Sequence, residues 1–308
     1  MTTTSRSPED LRLIHDLMPA AEKLVERHIA SAKEWFPHLY VPWGRARDFE
    51  PDEVWDPQEF PVPDAVRDAL FVNLLTEDNL PYYFHTIDNM FGPGVWGEWI
   101  RRWTAEEQRH SIVIRDYLTV TRALDPVELE RGRMAQVSGG VVPEPTTPAD
   151  TLVYVALQEL ATRVSHRNTG KLLGDPVGYE VMARVAADEN LHYLFYRELV
   201  TEALAIDPSA VVLAVDRQVR EFEMPGTGIV NFTARAAAIA RAGIYDLALH
   251  YDQVLVPVVL RHWRLEEVEG LSTEAEEARA RVLRYMRRLE SVARRLTERR
   301  QARELVDA

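Results

Sequence analysis

The feature that most restricts the fold is a series of five long segments in which apolar residues recur every three to four positions, the repeat of an amphipathic helix. In order along the chain they cover residues 64–91, 95–123, 150–172, 177–205 and 228–262. Amphipathic stretches flank them at 8–34 and 272–305, and a short helix is expected after Asp125-Pro126. The alternating pattern of strands is nearly absent. Long helices joined mostly by short links predict an all-α bundle.

Composition excludes several classes of protein. The 308 residues include no cysteine, which rules out disulfides, cysteine-ligated metal sites and thiol nucleophiles. The 36 Lys and Arg against 49 Asp and Glu give a net charge of −13, the opposite of the balance expected for a nucleic-acid-binding protein. No apolar run approaches the roughly 20 residues that cross a bilayer, and the N-terminus lacks the apolar core of a secretory signal. We therefore expect a soluble, cytoplasmic protein.

Two Glu-x-x-His pairs carry the most informative spacing in the chain: Glu107 with His110, and Glu189 with His192. On a helix, residues three apart share a face, so the two side chains of each pair can converge on one point. A further acid precedes each pair by the same interval. The distance along the sequence from Glu77 to the glutamate of the first pair equals that from Glu159 to the glutamate of the second. One constant offset along the chain therefore converts the first set of three residues into the second.

All four glutamates fall on helix faces that are otherwise mostly apolar. An unpaired ionised carboxylate buried on such a face costs several kcal/mol, whereas a domain has only about 5–15 kcal/mol of net stability. The four acids must therefore be protonated or be neutralised by cations. Two divalent ions would balance the four negative charges, and two neutral imidazoles would complete the ligand set. The competing interpretation is four unrelated acids and two core histidines.

The donor set indicates which metals to expect. A glutamate from each of two helices, with a Glu-x-x-His pair from each of two others, is the ligand set of di-iron and di-manganese carboxylate bundles. Oxygen donors with one imidazole per metal favour iron or manganese over copper or structural zinc. Pro81, four residues after Glu77, removes the helical hydrogen bond to the Glu77 carbonyl, so a bend is expected there. The bend either helps to aim Glu77 or is a tolerated kink.

Over about residues 35–295 the chain resembles the soluble acyl-carrier-protein desaturases of plants and actinobacteria. The stretches that carry the resemblance are TEDNLPYY (76–83), WTAEEQRH (103–110), LQELATRVSHRNTG (157–170), AADENLH (186–192) and WRLEEVEGLSTEAEEA (263–278). The resemblance implies an all-α, ferritin-like four-helix bundle core with additional flanking helices. We expect a single domain over 1–308, with an N-terminal helix at 1–34, the di-iron core at 64–205 and flanking helices at 206–308.

Carried over residue by residue, the resemblance implies six metal ligands around two irons: Glu77 and His110 for one ion, Glu159 and His192 for the other, and Glu107 and Glu189 as bridges. Thr162 matches the family's hydroxyl beside the oxygen-binding side of the cluster, although a helical Thr can instead bond to a backbone carbonyl. Trp55, with His110 and Asp188, matches the family's proposed electron route from the surface to iron. The alternative for Trp55 is a structural role in the core.

The implied activity is that of an oxygen-dependent desaturase. It would introduce a cis double bond into a fatty acyl chain bound to acyl carrier protein, with two iron ions as cofactor and manganese as the other candidate. The resemblance also implies a ferredoxin-type electron donor and a homodimer. Two other interpretations stay open. One is a di-iron hydroxylase or N-oxygenase acting on a carrier-bound substrate, and the other is a catalytically silent metal-binding homologue.

Substrate identity and docking are less constrained. Leu191 replaces a basic residue of the plant motif, and His85, Asp88 and Asn89 make the helix after Glu77 more polar than expected for a groove that holds an alkyl chain. Because the carrier is acidic and this chain has a net charge of −13, docking would need a local basic patch. The arginine-rich C-terminal helix, with Arg261 and Arg264, is the candidate patch; its other interpretation is a solvated helix face.

Overall fold

A computed structural model describes residues 6–140, 142–143 and 145–307, with side chains to residue 302. Its described residues are mostly helical and include no strand, so the all-α prediction is confirmed. The α-helices are α1 (Pro8–Asp16), α2 (Met18–Ser31), α3 (Asp64–Asp78), α4 (Leu80–Phe91), α5 (Val95–Thr121), α6 (Pro126–Gly139), α7 (Pro148–Leu172), α8 (Pro176–Ile206), α9 (Pro208–Arg220), α10 (Phe232–Arg241), α11 (Leu247–His250) and α12 (Thr273–Asp307). None of the described helices is both long and apolar enough to cross a membrane.

Four of these helices form the core. Helices α3, α5, α7 and α8 pack on one another, and α7 and α8 are joined by a short link and lie side by side. Shorter helices cover the outside: α2 packs on α5 and α8, α10 on α3, and α9 on α7. The long helix α12 packs against α9. Every predicted metal ligand lies on a core helix.

Local sequence signals fix where the core helices α7 and α8 begin. Thr147 Oγ1 accepts a hydrogen bond from the Asp150 amide at 3.1 Å, and Pro148 occupies the first turn of α7. At the start of α8, Asp175 accepts from the Gly178 amide at 3.1 Å, and Pro176 follows it. Because these caps set where each helix starts, they also set which residues of α7 and α8 face the interior.

The predicted helix at 64–91 is two helices. Helix α3 ends at Asp78 and α4 begins at Leu80, with Asn79 between them. The Asn79 amide donates to the Thr76 carbonyl at 3.1 Å, a tighter turn than that of an α-helix. Pro81 has no amide to offer the Glu77 carbonyl, which is the physical reason for the break. The interruption therefore lies beside Glu77, where the bend was expected.

The prediction of one continuous helix at 228–262 is wrong. Helix α10 ends at Arg241, Gly243 adopts a positive φ of 70°, and α11 then leads into a π-helical segment, Tyr251–His262, that contains Pro257. A positive φ and a residue without an amide both disfavour regular α-helix, although the apolar repeat continues through them. Helix α9 was not predicted, and the N-terminal stretch 8–34 is divided at Leu17.

Candidate metal centre

The four core helices bring the six predicted ligands together in the interior. Helix α3 supplies Glu77, α5 supplies Glu107 and His110, α7 supplies Glu159, and α8 supplies Glu189 and His192. All six are buried, from complete burial for the two histidines to 8% exposure for Glu107. Carboxylates at this depth need a compensating charge or proton.

The six residues form two overlapping groups, within each of which the candidate ligand atoms lie no more than 4.8 Å apart. The two groups are Glu77, Glu107, His110 and Glu189, and Glu107, Glu159, Glu189 and His192. Glu107 and Glu189 belong to both. The spacing therefore describes two adjacent cation positions with two carboxylates between them.

Each histidine turns Nδ1 towards the carboxylates. Nδ1 of His110 lies 3.4 Å from Glu189 Oε1, 3.6 Å from Glu107 Oε2 and 3.7 Å from Glu77 Oε2. Nδ1 of His192 lies 2.8 Å from Glu107 Oε1 and 3.7 Å from Glu159 Oε2. The two imidazoles thus present the same ring nitrogen to the carboxylates, and both approach Glu107.

Unpaired atoms at the centre test whether a metal suits the site. Glu107 Oε1, Glu159 Oε2 and Nδ1 of both His110 and His192 are buried and make no well-aligned hydrogen bond within the protein, although Nδ1 of His192 and Glu107 Oε1 lie 2.8 Å apart. Buried polar atoms are almost always paired, because each unpaired one costs about 1–3 kcal/mol. All four atoms belong to the two overlapping groups. Cations bound there would satisfy them, and carboxylate oxygens with imidazole nitrogens suit iron or manganese.

The pKa shifts of Glu159, His110 and His192 also indicate that the site attracts positive charge. Burial, together with the charges of Glu189 and Glu107, raises the pKa of Glu159 well above its usual range. Burial alone would lower the pKa of His110 and His192, but their hydrogen bonds to carboxylates outweigh it and raise both pKa values well above the ordinary histidine range. The carboxylates therefore draw in positive charge, which protons or metal ions can supply.

On the side of His110 away from the other carboxylates, Asp188 contacts the imidazole, one tryptophan and two arginines. Nε2 of His110 lies 3.5 Å from Asp188 Oδ2, and the indole of Trp35 donates to the same oxygen at 2.7 Å. Arg109 donates to that oxygen at 3.4 Å, and Arg184 pairs with the other oxygen of Asp188. Burial would raise the pKa of Asp188, but the hydrogen bond and charge of His110, with Arg184, lower it to about 2. Asp188 is therefore an anion that orients His110.

Behind His192 the corresponding anion is Glu106. Nε2 of His192 lies 3.0 Å from Glu106 Oε2, and Nε2 of His28 on α2 lies 2.8 Å from the same oxygen. Arg102 Nε donates to the other oxygen at 2.6 Å. His28, Glu106 and His192 could also be considered as a third cation site. In the structure both imidazoles hydrogen-bond to the same Glu106 oxygen, which leaves Nδ1 of His192 to face the other carboxylates, so we interpret Glu106 as the acceptor that orients His192.

Four of these supporting residues were not predicted: Trp35, His28, Glu106 and His166. A signal for Glu106 was present, because Glu106 and Asp188 each stand directly before a Glu-x-x-His pair and are related by the same offset as the two pairs. His28 and Trp35 carry no such signal, since they come from an N-terminal segment with no matching motif. His166 lies one helical turn after Thr162, and its Nε2 is 3.0 Å from Glu77 Oε1.

Trp55 is not brought to the centre. Its indole donates to the Arg122 carbonyl at 2.8 Å, and the guanidinium of Arg67 lies 5.6 Å from its ring centroid. Trp35, and not Trp55, contacts Asp188 in the structure. Both tryptophans lie in the loop-rich region between the first amphipathic stretch and α3, which is why spacing alone did not separate them.

Thr162 contacts both backbone carbonyls of its own helix and a carboxylate of the candidate site. Its hydroxyl lies 3.0 Å from the Glu159 carbonyl and 3.2 Å from the Gln158 carbonyl, the helical back-bonding pattern. It also lies 3.1 Å from Glu189 Oε2. A hydroxyl has one proton, so it donates to one of these acceptors at a time. Thr162 is therefore in contact with a carboxylate shared by the two groups.

Two cavities meet at the carboxylates. The first cavity, about 600 Å³ with its open mouth, includes among its lining residues Thr76, Glu77, Thr86, Ile87, Glu107, Tyr154, Thr162 and Glu189. The second cavity, about 560 Å³ on the same measure, includes Asn73, Thr76, Glu77, Thr162, Ser165, His166, Met224, Phe232 and Tyr245. Thr76, Glu77 and Thr162 line both. His85 and Asn89 are exposed and lie 2.9 Å from each other, and neither they nor Asp88 line these cavities.

Comparison with known proteins identifies the family of this chain. The sequence model of the fatty acid desaturase family matches residues 9–307. The chain is 42% identical over 281 residues to DesA1 of Mycobacterium tuberculosis, named an acyl-[acyl-carrier-protein] desaturase, covering 88% of this chain and 83% of that protein. It is 31% identical over 317 residues to the chloroplastic stearoyl-[acyl-carrier-protein] 9-desaturase of Spinacia oleracea, covering 95% and 79%.

A solved structure supports the same assignment. The X-ray structure of DesA2 from Mycobacterium tuberculosis matches with a TM-score of 0.68 at 29% identity, covering 84% of this chain and all of that one. With the family match over nearly the whole sequence, these relatives establish that the chain belongs to the fatty acid desaturase family, whose members are oxidoreductases with a ferritin-like helical fold.

Proposed function

We propose that this protein is an oxygen-dependent di-iron desaturase that introduces a cis double bond into an acyl chain carried by acyl carrier protein. The observation that carries the proposal is the pair of overlapping groups of candidate ligands that share Glu107 and Glu189 and border two cavities with common lining residues. The names of the relatives supply the substrate class, since DesA1 and the spinach enzyme are both called acyl-carrier-protein desaturases.

Six residues would hold the metals: Glu77 and His110 at one ion, Glu159 and His192 at the other, and Glu107 and Glu189 between them. Bound iron would supply the oxygen chemistry that removes hydrogen from an unactivated methylene, which no acid or base among the amino acids can do. Manganese suits the same donors, so iron is the proposed metal and not the only candidate.

The surrounding residues have defined tasks. Asp188 and Glu106 accept hydrogen bonds from the outer nitrogens of His110 and His192, which leaves each Nδ1 free to face a metal. The hydroxyl of Thr162 donates towards Glu189, on the side where both cavities meet. The two cavities would hold the acyl chain across this point, so that one carbon–carbon unit lies beside the carboxylates and water is kept out.

The electrons would come from a ferredoxin-type donor, because a chain without cysteine cannot bind an iron–sulfur cluster through thiolates. The proposed route runs through Trp35, Asp188 and His110, which are joined by contacts of 2.7 and 3.5 Å.

The candidate surface for docking of the acyl carrier protein is the arginine-rich helix α12. Two of its arginines, Arg279 and Arg281, already pair with Glu276 and Asp216. Arg300 also lies 3.5 Å from Asp246, so docking on α12 would use arginines other than these three. The homodimer, the cytoplasmic location and the single-domain organisation stay predictions.

Product analysis tests the proposal. Iron-loaded protein is incubated with oxygen, ferredoxin, ferredoxin reductase and acyl carrier proteins that bear C14–C18 chains. The acyl chains are then released and their masses are measured by mass spectrometry. We expect the loss of two hydrogens over many turnovers. A gain of one oxygen would instead identify a hydroxylase, and no turnover with a fully loaded metal site would identify a silent homologue.

A further inference from the structure

Three of the seven tryptophans of the chain lie on one face of α5, the helix that also carries Glu107 and His110. They are Trp96, Trp99 and Trp103, and each is buried, with at most 3% of its surface exposed. Residues three or four apart on a helix are neighbours, so the three indoles follow one another along α5 and lead towards the two candidate ligands. These three residues are called the tryptophan stripe below.

The inner end of the stripe contacts the candidate metal centre. Nε1 of Trp103 donates a hydrogen bond to Glu159 Oε1 at 3.0 Å, and Trp103 also lines the first cavity. The ring of Trp99 is edge-on to the ring of His192, with 6.2 Å between their centroids. Trp99 lines neither cavity, so it reaches the centre outside the space proposed for the acyl chain.

The outer end of the stripe lies close to solvent. Nε1 of Trp96 donates to the Ile14 carbonyl of α1 at 3.3 Å, and the next residue of α1, His15, is exposed. Between the two ends, Nε1 of Trp99 donates to the Tyr196 hydroxyl at 3.0 Å. The stripe therefore connects a carboxylate of the centre with a helix that faces solvent.

A need to fill the core does not explain three indoles in a row. Leucine or phenylalanine would occupy the same interior without a buried N–H group that needs a hydrogen-bond partner. Indoles differ from these side chains in their chemistry, because an indole gives up one electron far more readily than an aliphatic or phenyl group. Neighbouring indoles can also pass an electron along a helix without any movement of the chain. The stripe is therefore suited to electron transfer.

The reaction of oxygen shows when such electrons would be needed. Reduction of one oxygen molecule to two waters takes four electrons. In the proposed desaturation, two come from the external donor by way of the metal ions, and two come with two protons from the acyl chain. If no acyl chain is bound, the last two electrons have to come from the protein, and the ligand histidines are then exposed to oxidation.

We propose that the tryptophan stripe supplies these two electrons when reduced enzyme meets oxygen without substrate, and that it thereby protects the ligand histidines. Each electron leaves Trp103 and is replaced from Trp99 and then from Trp96. A soluble thiol restores Trp96: two thiols form one disulfide and release two electrons and two protons, the same number that the acyl chain would have given. This inference rests on the proposed function for its iron and its oxygen chemistry.

The test exposes reduced, iron-loaded enzyme to oxygen after the excess reductant is removed, with neither acyl carrier protein nor thiol present. Electron paramagnetic resonance of frozen samples detects a tryptophan radical, which is identified by the change in its spectrum when the indoles are deuterated. Peptide mass spectrometry then locates the residues that have gained oxygen. In the wild type we expect a tryptophan radical and oxidised residues in the stripe, and both should be lost when a thiol is present.

Trp99→Phe interrupts the stripe and removes no hydrogen bond to a candidate ligand. Trp263→Phe is the matched control, because Trp263 is 4% exposed, donates to the Arg197 carbonyl at 3.1 Å and lies outside α5. We expect Trp99→Phe to lose the oxidation of Trp96 and to gain oxidised ligand histidines, whereas the control keeps the wild-type pattern. Iron content and melting temperature, measured first, establish that each variant is folded and loaded.

A second variant, Trp96→Phe, changes only the outer end of the stripe and should abolish the protection by thiol. Absence of both the radical and the oxidised stripe residues in the wild type would overturn the inference. The same oxidation pattern in Trp99→Phe and in Trp263→Phe would overturn it too. Because the exposure to oxygen needs no acyl chain, a protein that oxidises the stripe but forms no double bond would support this inference and contradict the desaturase proposal.

Discussion

Nε2 of His192 lies 3.0 Å from the carboxylate of Glu106, which belongs to α5, the helix that carries His110, and not to His192's own helix. Asp188 on α8 makes the reciprocal contact with His110 on α5. Each acid that directly precedes a Glu-x-x-His pair therefore orients the histidine of the opposite helix. These crossed contacts fix the two imidazoles and tie α5 to α8 at the level of the carboxylates.

The first prediction concerns His28, which supports Glu106 from α2. His28→Leu removes a 2.8 Å hydrogen bond to the oxygen that also holds His192, so the orientation of that imidazole should loosen. Loss of such an outer contact weakens metal binding by about 10- to 100-fold. We expect one of the two ions to be released at lower chelator concentration, as followed by iron content and circular dichroism. His15→Leu, at an exposed histidine of α1, is the control, and equal chelator resistance in both variants would refute the role given to His28.

The second prediction separates the two tryptophans. Trp35→Phe removes the indole donor to Asp188, whereas Trp55→Phe removes only a bond to the Arg122 carbonyl. With reduced ferredoxin as donor, we expect Trp35→Phe to slow reduction of the metal centre about 10-fold, the lower end of effects at such outer contacts. Trp55→Phe should stay within about 2-fold of the wild type. Stopped-flow absorbance of the centre measures both rates, and the reverse ranking would restore Trp55 to the route.

The third prediction concerns acid stability away from the metal centre. Burial lowers the pKa of His250 to about 4, and its ring stacks on Phe222 at 4.6 Å while Nδ1 lies 2.8 Å from the Tyr245 hydroxyl. Since the folded protein favours neutral His250, the contribution is present above pH 6.5 and is lost as the pH falls towards 4.

The size of this effect follows from the shift. A change from 6.5 to about 4 corresponds to about 3 kcal/mol at most. His250→Gln should therefore flatten the fall in unfolding free energy between pH 6.5 and 4, measured by urea titration of chelator-treated protein. Parallel pH profiles for the variant and the wild type would show that His250 does not take up a proton on unfolding.

The sequence predicted the core helices and the burial of six clustered glutamates and histidines, because both depend on local periodicity. The Glu-x-x-His spacing places the two residues of each pair on one helix face whatever surrounds them, and the Asp175-Pro176 start of α8 is readable directly. Where local and tertiary effects differ, the prediction was less accurate. The helix at 228–262 was predicted from its apolar repeat alone, without regard to Gly243 and Pro257. The structure has a turn at Gly243 and a π-helical segment that contains Pro257.

The remaining differences come from contacts between segments far apart in the chain. Trp35 and Asp188 are separated by 153 residues, and His28 and Glu106 by 78, so no spacing rule connects either pair. The choice of Trp55 over Trp35 had the same origin. The sequence analysis also expected His85 and Asn89 to make the alkyl groove more polar, but both lie on the surface. The polar side chains Asn73 and His166 line the cavity beside Glu77 instead.

The most direct test of the metal centre is the metal content of the purified protein and of two variants. We predict about two iron or manganese ions per chain in the wild type and a loss of bound metal in Glu107→Ala, because Glu107 belongs to both ligand groups. Glu98→Ala, which removes an exposed acid from the same helix, should keep both ions. Wild-type protein that binds neither metal, or a Glu107→Ala variant that binds as much as the wild type, would contradict the account.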